Sequence, residues 1–154
     1  MKEIPLTKGF VAFIDDDDYD RVIAMGKWQA ILNISVNTYY AIHSMGKGNI
    51  RMNRFIMNTP KGMVCDHING NTLDNRKSNL RNCTQTQNLW NTGHQKNNKL
   101  KQKYIRQLKA GTYEVHLRLY GESVFRKAFK TLEEAIIIRD EKAKIYYGEF
   151  TRTE

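Results

Sequence analysis

The stretch from Val64 to Asn88 reads VCDHINGNTLDNRKSNLRNCTQTQN and holds the residues whose types and spacing could do chemistry. A short β-branched run ends in Asp66-His67. A loop dense in Asn, Asp and Gly follows, the composition of turns and side-chain-to-backbone hydrogen bonds. Leu80 to Cys83 is a second extended piece. Thr84 and Gln87 then form a capping box, so a helix is predicted to open at Thr84, with Asn88 at the end of its first turn. A strand, loop, strand and helix of this length can bring Asp66, His67 and Asn88 into one pocket. A carboxylate and an amide oxygen are hard ligands for Mg²⁺. A neutral imidazole beside them could act as general base, because its ordinary pKa of ~6.5 lies close to working pH. Such a set suits metal-assisted hydrolysis of a phosphodiester. Taken singly, the same residues would only make turns and caps.

The ordered words DHINGN, LDNR, SNLR, T and QN, taken together, resemble the core of the HNH endonucleases. These are the ββα-metal, or His-Me finger, nucleases of phages, mobile introns and bacteria, and the resemblance covers residues 54–91. It implies His67 as general base, and Asp66 and Asn88 as ligands of one divalent ion, Mg²⁺ or Mn²⁺. It also implies Asn79 as the residue that ties down the loop and helps orient the imidazole. Asn53 stands where related sequences often carry His, so the resemblance assigns it no ligand role.

Several elements must position these residues. Phe10 to Ile14 reads as a buried strand. Asp15 to Asp18 reads as an acidic helix start, with Asp side chains capping the first turn and opposing the dipole, in preference to a second metal site. The helix is expected over Tyr19 to Lys27. Ser35 to Ile42 is β-rich, and Met45 to Asn49 is a turn by composition. Ile50 to Met57 reads as a helix with Met52, Phe55 and Ile56 on one face. Arg51 and Arg54 fall on another, where they could reach a phosphate backbone. The N-terminal region thus reads as a small α+β layer supporting the nuclease core.

Past Trp90 the composition changes. Asn91 to Lys103 is polar and basic, the pattern of a linker whose Lys99, Lys101 and Lys103 could neutralise phosphates in a groove. Three strands are expected over Tyr104–Leu108, Thr112–Tyr120 and Ser123–Phe129. A capping box at Thr131 then opens a helix that runs to Tyr147 and stops at Gly148. Helix packing on one sheet face leaves the other open. Alternation puts Arg106, Glu114, His116, Arg118, Ser123 and Phe125 on that open face, and Tyr113, Val115, Leu117 and Val124 toward the helix. From Lys99 to Lys130 nine Lys and Arg stand against Glu114 and Glu122, a local excess of +7 within a chain of net charge +9. A β face carrying arginines is one way into the major groove.

The words Arg106-Gln107, Gly111-Thr-Tyr-Glu-Val-His-Leu-Arg118, Phe129-Lys-Thr-Leu-Glu-Glu-Ala135 and Tyr147-Gly-Glu-Phe150 resemble the Apetala-two/ethylene-response-factor DNA-binding domain. The resemblance implies Arg106 and Arg118 as DNA-contacting arginines, His116 as a neighbouring polar contact and Phe125 as a DNA-facing aromatic. Leu108 and Ser123 stand where plant members carry arginines, Lys127 where a glycine is usual, and Tyr104 replaces the glycine before the first strand arginine. No target sequence therefore carries over.

Taken whole, the 154 residues read as an α+β chain. Residues 1–92 would form the nuclease domain with its core at 54–91, 93–103 a basic linker, and 104–154 the DNA-binding domain. The charge indicates an anionic partner, double-stranded DNA, and no small-molecule cofactor. No apolar run suits a membrane span, and the two cysteines, Cys65 and Cys83, fit a reducing cytoplasm as small buried hydrophobes. One pocket per chain suits a monomer that nicks one strand at a chosen site. A DNA-binding regulator with a decayed nuclease core is the alternative, and a structure- or RNA-directed nuclease is a third reading without a feature of its own.

Overall fold

Alternating apolar residues set up the first hairpin, β1 (Lys2–Pro5) paired antiparallel with β2 (Val11–Ile14), with Ile4, Ala12 and Ile14 turned inward and buried. This computed structural model describes residues 1–46, 48–95 and 97–152, so Lys47 of the expected turn and Lys96 of the expected linker lie outside the described residues. The fold is α+β, in two compact units, Met1–Gln85 and Thr86–Glu154.

In the first unit a 3-10 turn over Asp16–Asp18 leads into α1 (Tyr19–Ala24). The acidic run does not cap this helix, since neither Asp15 nor Asp18 makes a side-chain cap hydrogen bond. Asp18 is buried and ion-paired with Arg21 and Lys77, and the Asp15 carboxylate accepts the N–H of Lys77. The run is therefore a tie to a distant loop. The helix stops short of Lys27 because Gly26 adopts φ +89°, a conformation glycine takes without strain.

β3 (Gln29–Asn33), β4 (Thr38–Met45) and β5 (Gly48–Arg51) form an antiparallel sheet in chain order, followed by α2 (Met52–Ile56). Arg51 ends a strand here and does not share a helical face with Arg54. The core gathers on Trp28, which is fully buried among Ile4, Ile14, Val22, Met52 and Ile56 and donates its indole N–H to the Val22 carbonyl at 2.9 Å.

That core carries a second hairpin, β6 (Val64–His67) with β7 (Leu80–Cys83), which sets Asp66 opposite Arg81 and His67 opposite Leu80. A lone hairpin is marginal in water. This one is buttressed: Asn53 donates to the Cys65 carbonyl, and the connecting loop is sewn to β2. Phe13 N–H donates to Leu73 O at 2.8 Å, and Asn75 N–H donates to Phe13 O at 2.7 Å. Thr72 donates to the Tyr39 carbonyl from the same loop.

The second unit holds α3 (Gln85–Asn91) from its second residue onward, then β8 (Ile105–Gln107), β9 (Tyr113–Leu119), β10 (Glu122–Phe129) and α4 (Leu132–Tyr147). The sheet order is β10-β9-β8, all antiparallel. Thr131 caps α4 by accepting the Glu134 N–H at 3.2 Å, and Gly148 ends it at φ +55°. Val115, Leu117, Ala135, Ala143 and Tyr147 are buried where α4 covers the sheet. Trp90 of α3 stacks on Tyr147 with ring centroids 4.8 Å apart, so α3 packs within this unit.

The basic stretch after α3 is tied down as well. Asn98 closes a local turn through the Gln102 carbonyl, and the buried Arg139 of α4 donates to the Lys103 carbonyl and the Gln102 side chain. β10 departs from strict alternation, because its register shifts between Ser123 and Phe125. Phe125 pairs with Leu117, on the side that α4 covers, and Arg126 stands opposite His116 on the open face. Phe125 is thus not the outward aromatic that alternation implies: a bulge inserts one residue and reverses every facing after it.

Candidate active site

His67 ends β6 and is 5 % exposed. Its Nε2 lies 3.2 Å from Oδ1 of Asn75, a residue 1 % exposed, on the loop that β2 holds. The Asn75 amide nitrogen donates to the Leu73 carbonyl at 3.2 Å, which fixes the amide's orientation. Oδ1 therefore faces the imidazole as acceptor, Nε2 carries the proton, and the lone pair of the neutral ring resides on Nδ1. Burial pulls the His67 pKa below its ordinary value of 6.5. The Asn75 bond and the Asp66 and Asp74 carboxylates oppose that shift, and the nearby Arg51 adds to it. The ring is neutral at neutral pH.

Asn79 knits the loop. It donates to the Asp74 carbonyl at 2.8 Å and accepts the Asn69 N–H at 2.9 Å, while its own carbonyl accepts the Ile68 N–H. The side chain that meets the imidazole is Asn75, whose only signal in the sequence is its place in the LDNR word. Asp66 is buried and takes a two-nitrogen fork from Arg81 directly across the hairpin, Nε at 3.0 Å and Nη2 at 2.8 Å, both on Oδ2. Arg81 is a second omission. Asp74, which accepts from Asn69 and Arg76, holds the loop's far side, and the Arg76 bond keeps its carboxyl below the usual carboxylate range.

Arg51 is exposed and lies over the Tyr40 ring, 4.4 Å from its centroid, and Tyr40 in turn meets His67 edge-on at 6.3 Å. A cation thus stands beside the imidazole, held by an aromatic face. Arg54 does not share that position: its guanidinium donates to the carbonyls of Met63, Thr59 and Pro60 and shapes the loop before β6. Cys65 is no nucleophile, since burial pushes its thiol up to about 11. Asn88 lies half-buried on α3, in the second unit.

The open sheet face of the second unit carries Arg106, Glu114, His116, Arg118, Ser123 and Arg126. Buried Glu114 sits between two arginines, with Arg106 Nε and Arg126 Nε each 2.8 Å from one of its oxygens. His116 Nε2 meets Ser123 Oγ at 3.0 Å, and Arg118 Nε approaches the same nitrogen. Lys99 and Lys101 are exposed. Lys103 is not a phosphate-facing lysine: its ammonium donates to the carbonyls of Leu89, Trp90 and Thr92, and burial lowers its pKa to about 8.

The HNH endonuclease family model matches residues 58–89, a span that takes in the Asp66-His67 hairpin and the start of the helix that follows it. Over its greater length the chain is similar to a protein of Acanthamoeba polyphaga mimivirus named an uncharacterized HNH endonuclease. The two are 28 % identical over 149 residues, 93 % of this chain and 74 % of the relative. No solved structure matches. Both similarities support a metal-dependent nuclease. Among the described residues no helix is long and apolar enough to cross a membrane.

Proposed function

We propose that this chain is a site-specific DNA endonuclease that nicks one strand of double-stranded DNA as a monomer, with His67 as general base. The observation that carries the reading is the buried, neutral imidazole fixed by Asn75 beside Asp66. The neutral ring takes a proton from the attacking water, and the Nε2···Oδ1 bond to Asn75 holds it as it becomes an imidazolium. Arg51, beside the ring on Tyr40, offers its positive charge to the scissile phosphate.

The HNH resemblance implies Asp66 and Asn88 as the hard oxygen donors, a carboxylate and an amide, that would hold one Mg²⁺ or Mn²⁺ keeping several waters. The Arg81 fork occupies sites on Oδ2, and a carboxylate has about four lone-pair sites in all, so it accommodates both partners. When bound, such an ion would polarise the phosphate and stabilise the leaving 3′ oxygen. The open sheet face, through Arg106, His116 and Arg118, places the enzyme on its site, while Lys99 and Lys101 add phosphate contacts.

The test is relaxation of supercoiled plasmid by the purified protein with Mg²⁺ or Mn²⁺. Relaxed circles that vanish with EDTA, and a loss of about 100-fold or more in His67→Ala, are expected. Salt-sensitive binding without cleavage under any divalent ion would instead make the chain a DNA-binding regulator.

A further inference from the structure

The bulge in β10 brings to the open face an arginine that strict alternation hides. Glu114 is 7 % exposed at its side chain, whereas Arg106 and Arg126 beside it are 61 % and 56 % exposed. Arg126 engages the carboxylate through Nε, at 2.8 Å from Oε1. That contact is made through Nε, and a guanidinium has Nη1 and Nη2 donors besides to offer a second pair of acceptors. Arg106 engages the other oxygen through Nε and Nη2. One buried anion thus braces two planar cations across three strands.

Such bracing suits a base edge better than a phosphate. A phosphate is served by any mobile cation, and a carboxylate at the contact only repels it. A base edge needs a planar fork at fixed height and angle, and the carboxylate supplies that constraint. Among base edges in the major groove, guanine alone presents two acceptors side by side, O6 and N7.

We propose that Arg126, held on Glu114 together with Arg106, reads a guanine in the major groove of the target and is a specificity-determining residue of this protein. The proposal rests on the reading of the sheet as the DNA-positioning face. Ser123 and His116 flank the arginine and complete one continuous surface with Arg118.

The test is selection of duplexes from a random library by the full chain in EDTA, so that no strand is cut. The native protein is expected to enrich a motif holding a guanine whose preference disappears in Arg126→Ala, with the other positions kept. Affinity for the motif should fall about 10- to 100-fold, while affinity for random duplex changes less than about three-fold. Replacing that guanine by 7-deazaguanine, which lacks the N7 acceptor, should weaken the native protein and have no effect on Arg126→Ala. Glu114→Gln should blur the same position. An Arg126→Ala motif identical to the native one, or a native protein indifferent to 7-deazaguanine at every guanine, overturns the proposal and leaves the sheet as reader intact. Failure of the native chain to enrich any motif overturns both.

Discussion

The base role proposed for His67 is served by a ring whose other nitrogen is committed to donating, and Asn75 offers the acceptor for it. Asn75→Ala removes the acceptor, frees the ring to tautomerise and opens a small cavity. The expected result is a turnover number about 10- to 100-fold lower with substrate binding little changed, checked by single-turnover nicking against a filter-binding titration. A tenfold loss in affinity with unchanged turnover would place Asn75 outside the catalytic arrangement. The pH profile follows from the same ring. Its pKa is held below the ordinary 6.5, mainly by burial, so the competent neutral form persists under that value and the acid limb of the rate falls only at lower pH. The stability sign agrees with this. Between the folded pKa and 6.5 the unfolded chain binds the extra proton, so acidification through that window destabilises the fold. An acid limb centred above 6.5 would remove His67 from the base role.

At the scale of elements, local text foretold what local chemistry decides. The hairpin strands around Asp66 and Leu80, the capped helix after Thr131 and its stop at Gly148 follow from β-branched runs, a hydroxyl-and-amide box and a glycine, and each formed within a residue or two of expectation. The Asn75–His67 contact depends on a loop stitched to β2, more than fifty residues earlier in sequence, and no spacing rule reports that. The β10 bulge is equally silent, because period two cannot show where one residue is inserted. Lys103 looked like one more cation in a basic tether, yet its three donors close the carbonyls at the end of α3. Lys103→Met is therefore expected to destabilise this unit by about 1 kcal/mol, seen in denaturant unfolding, because three carbonyls at the end of α3 lose their shared donor. Its salt dependence of DNA binding should stay native. A steep loss of affinity with unchanged stability would restore Lys103 to the phosphate-binding set.

At the scale of the molecule, the residues proposed to cut and those proposed to read belong to different units, so the two activities should separate by mutation. The nuclease hairpin carries one His-Asp pair, and the excess of +7 between Lys99 and Lys130 lies in the other unit. Phosphate contacts hold any sequence, with affinity falling steeply as salt rises, whereas base contacts choose among sequences. Arg118 is exposed on the open sheet face, its guanidinium near His116 and its backbone fixed by the Tyr147 hydroxyl. Arg118→Ala should leave the fold intact and lower the preference for cognate over random duplex about 10- to 100-fold, while nicking of random DNA at low salt persists. Run-off sequencing of nicked plasmid reads both outcomes together. The native chain should give breaks in one strand at one site, and the variant breaks scattered over many sites but still single-stranded, because one pocket addresses one phosphate. An unaltered break pattern would show that the sheet does not choose the site, and paired breaks in both strands from a monomer would contradict nicking by a single site.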